Sequence, residues 1–491
     1  RFITFPHTKH KKHITFLDEI IRNNIYKILP KVNGEDLYSV KITRDGELYY
    51  EEEDGELIQS IKESLKHRDY GIPTRVLYDS SMDNNDVKTL RKSLNLKKTD
   101  LMPGGRFHNF SDFFNFPEIE DKIHVVENQQ LEHHSLAKVE SVIEHLKSRD
   151  ELVCFPYHKY DPILNLINEA SEKKDISHIY ITLYRISSNS SVAIGLMNCL
   201  QKGKKVTVFV EAKARFDEEN NIEWGEKLEK AGARVLYSMT DIKVHSKIMF
   251  LESKTKNIGY VGTGNFNENS AKVYADFGLF TGNENITNDL KEVFKFLLDT
   301  SYKPSISKIW MSPFTTRNEI NQHIDNEIEI AQNGGNGYLF FKMNSLEDNN
   351  IIDRLYKASQ CGVEVKLLVR GICCLVPGLK GVSENIEVIS IVGTYLEHAR
   401  VYVFGNNGKT KMFIGSADCM ERNLDRRVEV IVPIEDYDIK KTIETCIDMQ
   451  WNDNTKARIV DANQKNLYQK NGKSIINSQS DFREFLKAKN S

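Results

Sequence analysis

Two stretches of the chain carry the same ordered set of segments, and this duplication constrains the fold more than any other feature. The apolar run Ile179–Leu183 corresponds to Tyr338–Phe341, and LMNCLQKGKKVTVFV (Leu196–Val210) to LYKASQCGVEVKLLV (Leu355–Val369). KVHSKIMF (Lys243–Phe250) corresponds to LEHARVYVF (Leu396–Phe404), and IGYVGTGNFN (Ile258–Asn267) to KMFIGSADCM (Lys411–Met420). The period, roughly 150 to 180 residues, marks a divergent internal repeat. In the first copy, short β-branched runs alternate with amphipathic stretches: His178–Leu183, Val192–Gln201, Lys205–Val210, Trp224–Ala231, Arg234–Tyr237. That alternation predicts α/β layers. The fold class expected is therefore α/β, with two similar α/β domains at about 132–310 and 311–491. The turn-rich IAQNGGNG (Ile330–Gly337) precedes the first strand of the second copy.

Residues 1–131 read differently. Thr15–Leu29 repeats apolar residues at helical spacing, Val76–Tyr78 is a short strand, and MPGGRFHNF (Met102–Phe110) is turn-rich. This part is expected to be a mixed α+β domain. Three domains suit a chain of 491 residues.

Charge and cysteine usage exclude several classes. Lys plus Arg number 67 against 70 Asp plus Glu, so bulk electrostatics do not mark a nucleic-acid binder. A polyanion site would need basic groups focused in one cleft. Seven cysteines with no CxxC pair suit reduced thiols in a cytoplasmic protein. No apolar run of about 18 residues predicts a membrane span, and no signal peptide is visible.

Chemistry concentrates at one duplicated motif. His245-x-Lys247 precedes Gly262-Thr263-Gly264-Asn265, and His398-x-Arg400 precedes Gly415-Ser416-Ala417-Asp418. The offset from His to the closing polar residue is 20 in both copies (265 − 245, 418 − 398). On an extended strand, positions i and i+2 share a face, so each strand is expected to present an imidazole beside a fixed cation. Imidazole can act as nucleophile or proton donor near neutrality, and the cation can hold phosphoryl oxygens. Small residues let backbone N–H groups approach an anion. Asn265 and Asp418 are placed to hydrogen-bond the imidazoles, with the carboxylate favouring a protonated His398. A lone His-x-Lys is ordinarily a surface pair; two copies at one offset before a small-residue tetrad point to function.

These motifs resemble the HxK-(x)n-GSxN repeats of the phospholipase D superfamily, whose two histidines face one another as nucleophile and general acid. The pattern is departed from at Glu252 and Gly405, where the superfamily has Asp, and at Arg400 and Asp418. A closer resemblance is to the polyphosphate kinase branch. It is carried by MPGGRFHNFSDFFNFP, ITLYR, GKKVTVFVEAKARFDEENNI, HSK, GTGNFNE, DRLYKASQCGV, LLVRGICCLVPG, YLEHARVYVF and SADCMERNLDRRVEV. It implies two phospholipase D-like α/β domains and a chain that lacks the family's N-terminal helical domain. It further implies reversible transfer of the ATP γ-phosphate to inorganic polyphosphate, through a phosphohistidine at His245.

By the same resemblance His398 binds nucleotide phosphates and protonates the leaving group, Tyr274 borders the adenine, and Arg370 clamps phosphate. Lys247, Arg400, Asn265 and Arg427 are further phosphate-binding candidates. Arg185 and Arg215 fall at positions associated with Mg²⁺ and phosphate. A guanidinium is permanently cationic, so Mg²⁺ is expected on phosphate oxygens rather than on these arginines. The partners implied are ATP or ADP and polyphosphate, not nucleic acid. A homo-oligomer and a peripheral membrane surface are also expected. The competing readings are a phospholipase D-type phosphodiesterase, with water as acceptor, and a scaffold that binds polyanions without chemistry.

Three other signals carry less. NGKT (Asn407–Thr410) and NGKS (Asn471–Ser474) lack the first glycine of a phosphate loop, where Val403 and Leu467 stand, and read as turns. HTKHKKH (His7–His13) reads as a solvated basic face. The polar stretch after about Asn463 reads as a helical tail.

Overall fold

The computed structural model describes residues 1–6, 11–44, 57–68, 71–117, 129–237, 242–470, 472 and 474–489. His7–His10 of the basic run and Asn471 and Lys473 of NGKS lie outside them. The chain forms two units, Arg1–Asn128 and Gln129–Ser491.

The first unit is mixed α+β. Phe2–Thr4 pairs antiparallel with Ile14–Phe16, and Pro73–Asp79 lies between Val40–Arg44 and Leu101–Gly104. The expected helix over Thr15–Leu29 is shorter. Residues Ile14–Phe16 are taken into the strand pair, leaving Leu17–Asn24 helical. The start of MPGG is likewise not a turn. Leu101–Gly104 runs parallel to Pro73–Asp79, whose ladder supplies the partners its backbone needs.

The second unit holds the duplication as two sheets. In the first, Tyr274–Thr281, Ile258–Gly262, Lys247–Ser253, Ile176–Leu183, Lys205–Val210 and Arg234–Tyr237 follow in order, with Glu151–Phe155 antiparallel to Tyr274–Thr281. In the second, the order is Arg427–Pro433, Lys411–Gly415, Arg400–Phe404, Tyr338–Met343, Glu364–Val369, Ile386–Ile391 and Ala457–Ile459. The repeat-matched parallel pairs, Ile176–Leu183 with Lys205–Val210 and Tyr338–Met343 with Glu364–Val369, are joined by helices with defined ends. Ser190 caps Ser191–Gln201, and Asp348 caps Asn349–Gln360, through side-chain bonds to backbone N–H groups. Each helix ends at a glycine with positive φ, Gly203 (79°) and Gly362 (90°), matched positions of the repeat where a side chain would be strained.

A core common to both sheets lies between them. It joins Phe250, Phe277 and Leu279 of the first half to Val401, Ile414 and Val430 of the second, with helices Glu284–Leu298 and Tyr437–Trp451. The outer face of each sheet has its own apolar cluster.

The sheets also exchange strand ends, which the sequence pattern does not show. Lys243–Val244 leaves the first half to run parallel to Arg427–Val428 of the second sheet. Leu396–Glu397 of the second half runs parallel to Tyr274–Ala275 of the first. The expected continuous strands Lys243–Phe250 and Leu396–Phe404 are therefore each broken, at His245–Ser246 and at His398–Ala399. At these breaks the backbone donates across the seam. His245 and Ser246 N–H both reach the Val428 carbonyl (3.0 and 2.9 Å), and His398 and Ala399 N–H both reach Ala275 (3.1 and 2.9 Å).

The tail is part of this unit. Helix Ser478–Lys489 places Gln479 against the exchanged strand of the second half, bonding both backbone groups of Tyr395 and the Glu397 carboxylate (2.7 Å). Glu397 also meets Lys342 at 2.6 Å and Gln450 at 2.8 Å, with the Lys342 and Glu397 side chains only 3% and 1% exposed. Losing one partner of such a pair strands a charge in the interior. Lys342→Ala is expected to destabilise the protein by about 3–5 kcal/mol. Removing both charges, Lys342→Met with Glu397→Gln, should cost less than the single change. Urea unfolding followed by tryptophan fluorescence compares them, and equal losses would remove the charge argument.

Candidate active site

Each histidine sits where its strand breaks, and the break turns its ring toward the opposite half. His245 Nδ1 lies 2.9 Å from both carboxylate oxygens of Glu429, and His398 Nδ1 lies 2.9 Å from both oxygens of Asp276. The arrangement is reciprocal and follows the repeat. His245 and His398, Lys247 and Arg400, and Asp276 and Glu429 are all 153 positions apart (398 − 245, 400 − 247, 429 − 276). The carboxylates are themselves held. Glu429 accepts from Ser416 Oγ and from Asn423 Nδ2 (2.6 Å), and Asp276 accepts from Thr263 Oγ1 (2.5 Å). A carboxylate on Nδ1 makes that nitrogen the donor and leaves Nε2 as the acceptor, which at His398 has Arg400 Nη1 3.3 Å away.

This corrects the expectation for Asn265 and Asp418, neither of which bonds an imidazole. Asp418 turns to its own half, while both rings face across the seam. Asp418 pairs with Arg400 at 3.0 Å and accepts the Asn344 N–H at 2.7 Å. The Asn265 side-chain oxygen is buried without a hydrogen-bond partner. The two acids were missed because they lie inside apolar strands, in YADFG and RRVEV. The signal was present: both stand 31 residues after their repeat's histidine (276 − 245, 429 − 398).

The i+2 cations are at the site but sealed. Lys247 is 1% exposed and Arg400 3%. Each turns back on the preceding histidine's carbonyl: Lys247 Nζ donates to His245, and Arg400 Nη1 to His398 at 2.8 Å. Lys247 also lies 5.0 Å from the Tyr184 ring centre, and that ring stands edge-on to His245 at 4.7 Å. On the other side, the Tyr274 ring lies 5.1 Å from His398. Arg370 follows the strand Glu364–Val369 and donates from Nε to Asn344 (2.9 Å), whose amide holds the His398 carbonyl (3.1 Å). Arg427 stands beside Lys243 across the exchanged strand pair.

The electrostatics tie these groups together. Burial, then Lys247, Arg427 and Arg400, push the His245 imidazole well below its usual range, against Asp418. Burial and the cations Arg400 and Lys247 lower His398 as well, although Asp276 pulls upward. The expected protonated His398 is thus corrected to a neutral ring in the free protein, because desolvation and two neighbouring cations outweigh one carboxylate. Cations of both halves act on both rings, which places the two imidazoles in one field. Burial holds Lys247 well below its usual range, with Glu429 opposing. Burial also raises Glu429.

Arg185 and Arg215 lie further out. Arg185 pairs with Asp217 (3.3 Å) and donates to the Arg215 carbonyl (3.4 Å), while Arg215 is exposed beside the Phe216 ring. No cluster of three metal-ligating side chains occurs at this site among the described residues. The cluster that does occur, His133, His134 and Glu151, is elsewhere. Its His133 accepts backbone N–H bonds at Nδ1 from Ser135 and Leu136 and donates Nε2–H to the Leu152 carbonyl (3.0 Å), so neither nitrogen is open to a metal.

Two α/β halves that each orient the other's histidine, with cations on both, define a duplicated α/β fold with one two-histidine site. The chain belongs to the polyphosphate kinase family. Family models described as the polyphosphate kinase middle domain, C-terminal domain 1 and C-terminal domain 2 match residues 1–116, 141–303 and 309–479. The polyphosphate kinase of Escherichia coli (strain K12) is 38% identical over 485 residues, covering 95% of this chain and 70% of that protein. That of Vibrio vulnificus (strain YJ016) is 36% identical over 502 residues, covering 99% and 71%. The solved structure of polyphosphate kinase from Porphyromonas gingivalis superimposes with a TM-score of 0.87 at 33% identity, covering all of this chain and 73% of that one.

Both depressed imidazoles make a pH prediction. A base whose folded pKa is lowered stays neutral below the ordinary value, so kcat/KM for ATP, which reports the free enzyme, should show no acid-side loss as pH falls from about 7.5 to about 6.5. A loss of activity with an apparent pKa near 6.5 would contradict it. Asp276→Asn and Glu429→Gln should each lower kcat at least about 100-fold while leaving the fold intact, since an amide no longer fixes the ring tautomer. Steady-state rates with circular dichroism check this.

Proposed function

We propose that this chain catalyses reversible transfer of the ATP γ-phosphate to inorganic polyphosphate through a phosphohistidine at His245. Family membership supports the overall reaction. The observation that carries the intermediate is the Glu429 bond to His245 Nδ1, which frees Nε2 as a neutral nucleophile.

In the first half-reaction Nε2 attacks the γ-phosphorus in line. The P–N bond forms as the bridging P–O bond breaks, and the electron pair leaves on the β-phosphate oxygen of ADP. Arg427, Lys247 and Arg370 stabilise charge on the phosphoryl oxygens. His398 faces the same field. Incoming phosphate offsets the cations that keep it neutral, so it takes a proton when the nucleotide binds and gives it to the leaving oxygen. Asp276 holds the ring for both duties. Tyr274, beside His398, borders the adenine, with Arg400 and Asn265 lining the phosphate path. In the second half-reaction a terminal polyphosphate oxygen attacks the phosphohistidine, and the electron pair returns to Nε2. ADP as acceptor reverses the first step.

The cofactor fitting this donor set is Mg²⁺ held by substrate phosphates. No carboxylate cluster forms a cage for it at this site among the described residues, and Arg185 and Arg215 are taken to meet phosphate rather than metal. Bound there, Mg²⁺ would neutralise phosphate charge. We further take the second unit to comprise two catalytic domains meeting near residue 310, and the enzyme to be a cytoplasmic homo-oligomer able to rest on a membrane surface. No helix among the described residues is long and apolar enough to cross a membrane.

The test is chemical. After incubation with γ-labelled ATP, acid-labile and base-stable label is expected on His245. His245→Ala should abolish both label and turnover, whereas His398→Ala should slow labelling by about 100-fold or more. Normal turnover by His245→Ala would end the proposal. ADP release that is independent of polyphosphate would favour the phosphodiesterase-type use of water.

A further inference from the structure

The two seams where the halves exchange strand ends are built alike but faced differently. In one, Leu396 stands opposite Tyr274; in the other, the repeat-equivalent Lys243 stands opposite Arg427. These are matched positions, again 153 apart (396 − 243, 427 − 274). One seam thus carries an aliphatic and an aromatic side chain next to His398, and the other carries two cations next to His245.

The cationic seam is costly as it stands. Neighbouring strands lie about 4.8 Å apart, and like charges facing one another there are destabilising. Glu211 is the strongest charge acting on Lys243 and pulls it upward, but no ion pair joins a carboxylate to either cation among the described residues. Among the described residues the Arg427 guanidinium makes no hydrogen bond or ion pair, and the Lys243 ammonium has one hydrogen bond, a long one to the Lys213 carbonyl (3.5 Å). Lys243 is half-buried. Burial lowers it, Glu211 and Glu218 pull the other way, and Arg427 and Lys213 lower it further. The same Arg427 acts on His245, Lys247 and Tyr184, and Lys243 stands opposite it, two residues before His245.

We propose that Lys243, with Arg427, binds the polyphosphate chain next to His245, and that the Tyr274–Leu396 seam serves the nucleotide. This rests on the phosphohistidine reading above. ADP and polyphosphate share the oxygen that meets the transferring phosphorus but differ beyond it. ADP continues into a ribose and a base, which want an aromatic and apolar border. Polyphosphate continues as charge alone, which wants unpaired cations. The asymmetry of the seams matches that difference. Lys243 lies outside the His-x-Lys motif, and its repeat mate Leu396 has no charge to suggest a shared role.

The experiment uses the full chain with Lys243→Gln and Lys243→Arg. Each protein is labelled from γ-labelled ATP and freed of nucleotide, and the label is discharged with polyphosphate or with ADP. For Lys243→Gln, the polyphosphate concentration giving half-maximal discharge should rise about tenfold or more, with a severalfold smaller change for ADP. Lys243→Arg should restore most of the polyphosphate effect. The thermal midpoint of unliganded Lys243→Gln should be no lower than that of the parent, because one of two facing like charges is gone. Equal changes for ADP and polyphosphate, no change for either, or a lowered midpoint would overturn the assignment. Steady-state KM values for polyphosphate and ATP on the same variants read Lys243 without the intermediate. An unlabelled parent would sink the phosphohistidine, while a labelled parent with unselective variants would sink the Lys243 assignment alone.

Discussion

The site depends on one interaction made twice, a carboxylate of each half bonded to Nδ1 of the other half's histidine. Neither half can build a working imidazole by itself. The strand that carries each histidine leaves its own sheet two residues early and borrows a ladder position from the neighbour, so the Val428 and Ala275 carbonyls fix the backbone where the acids fix the ring. Backbone bonds set the place and the side-chain bond sets the tautomer. The core shared by both sheets keeps the two registers aligned. Such rigidity suits phosphoryl transfer, where catalysis is largely positioning and fixed charge.

Burying this much charge has a cost, and its arrangement shows where the cost is met. Arg400 is answered by Asp418, and Asp276 by His398, Thr263 and Arg400, so that burial, which lifts both carboxyls, is outweighed and each is held below its usual range. Lys247 has Glu429 but is still pushed down by burial. Among the described residues, Arg427 and the terminal nitrogens of Arg370 have no ion pair, although Asp418 and Glu397 act on Arg370 from further off. On the proposed reaction, the surplus of positive charge around His245 and His398 is completed by substrate. In that state both rings are neutral, which suits a nucleophile at once and an acid only after phosphate has entered. On the proposed mechanism, one environment thus serves two roles in sequence.

Much of this was legible in the chain. The repeat order, the α/β layers, and the two histidines with their cations follow from segments that align by eye. What was not legible is tertiary. KVHSKIMF alternates as a single strand would, and nothing local says that Lys243–Val244 belongs to a different sheet from Lys247–Ser253. Asp276 and Glu429 sit in strands otherwise apolar, where a lone acid reads as an exception rather than a partner. Position 20 after each histidine looked right because it is polar in both copies, yet Asp418 answers Arg400 and the Asn265 oxygen faces no protein donor. The tail gave only helical spacing. Gln479 matters because its amide satisfies both backbone groups of Tyr395, a contact 84 residues away in sequence.

Duplication explains why the fold is symmetric, and divergence explains why the chemistry is not. A two-histidine site with equal halves has no reason to prefer one ring as nucleophile. Here the halves differ at the positions that decide it. The first has Lys247, Asn265 and Glu429's support for His245; the second has Arg400 locked to Asp418 beside His398. Around His245 the borders are Lys243 and Arg427, and around His398 they are Leu396 and Tyr274. A phosphodiesterase needs only to admit water after its first step. A kinase that passes phosphate between a nucleotide and a polymer must hold two unlike anions against one phosphorus, and unlike borders on two matched seams are the simplest way for a repeat to do so.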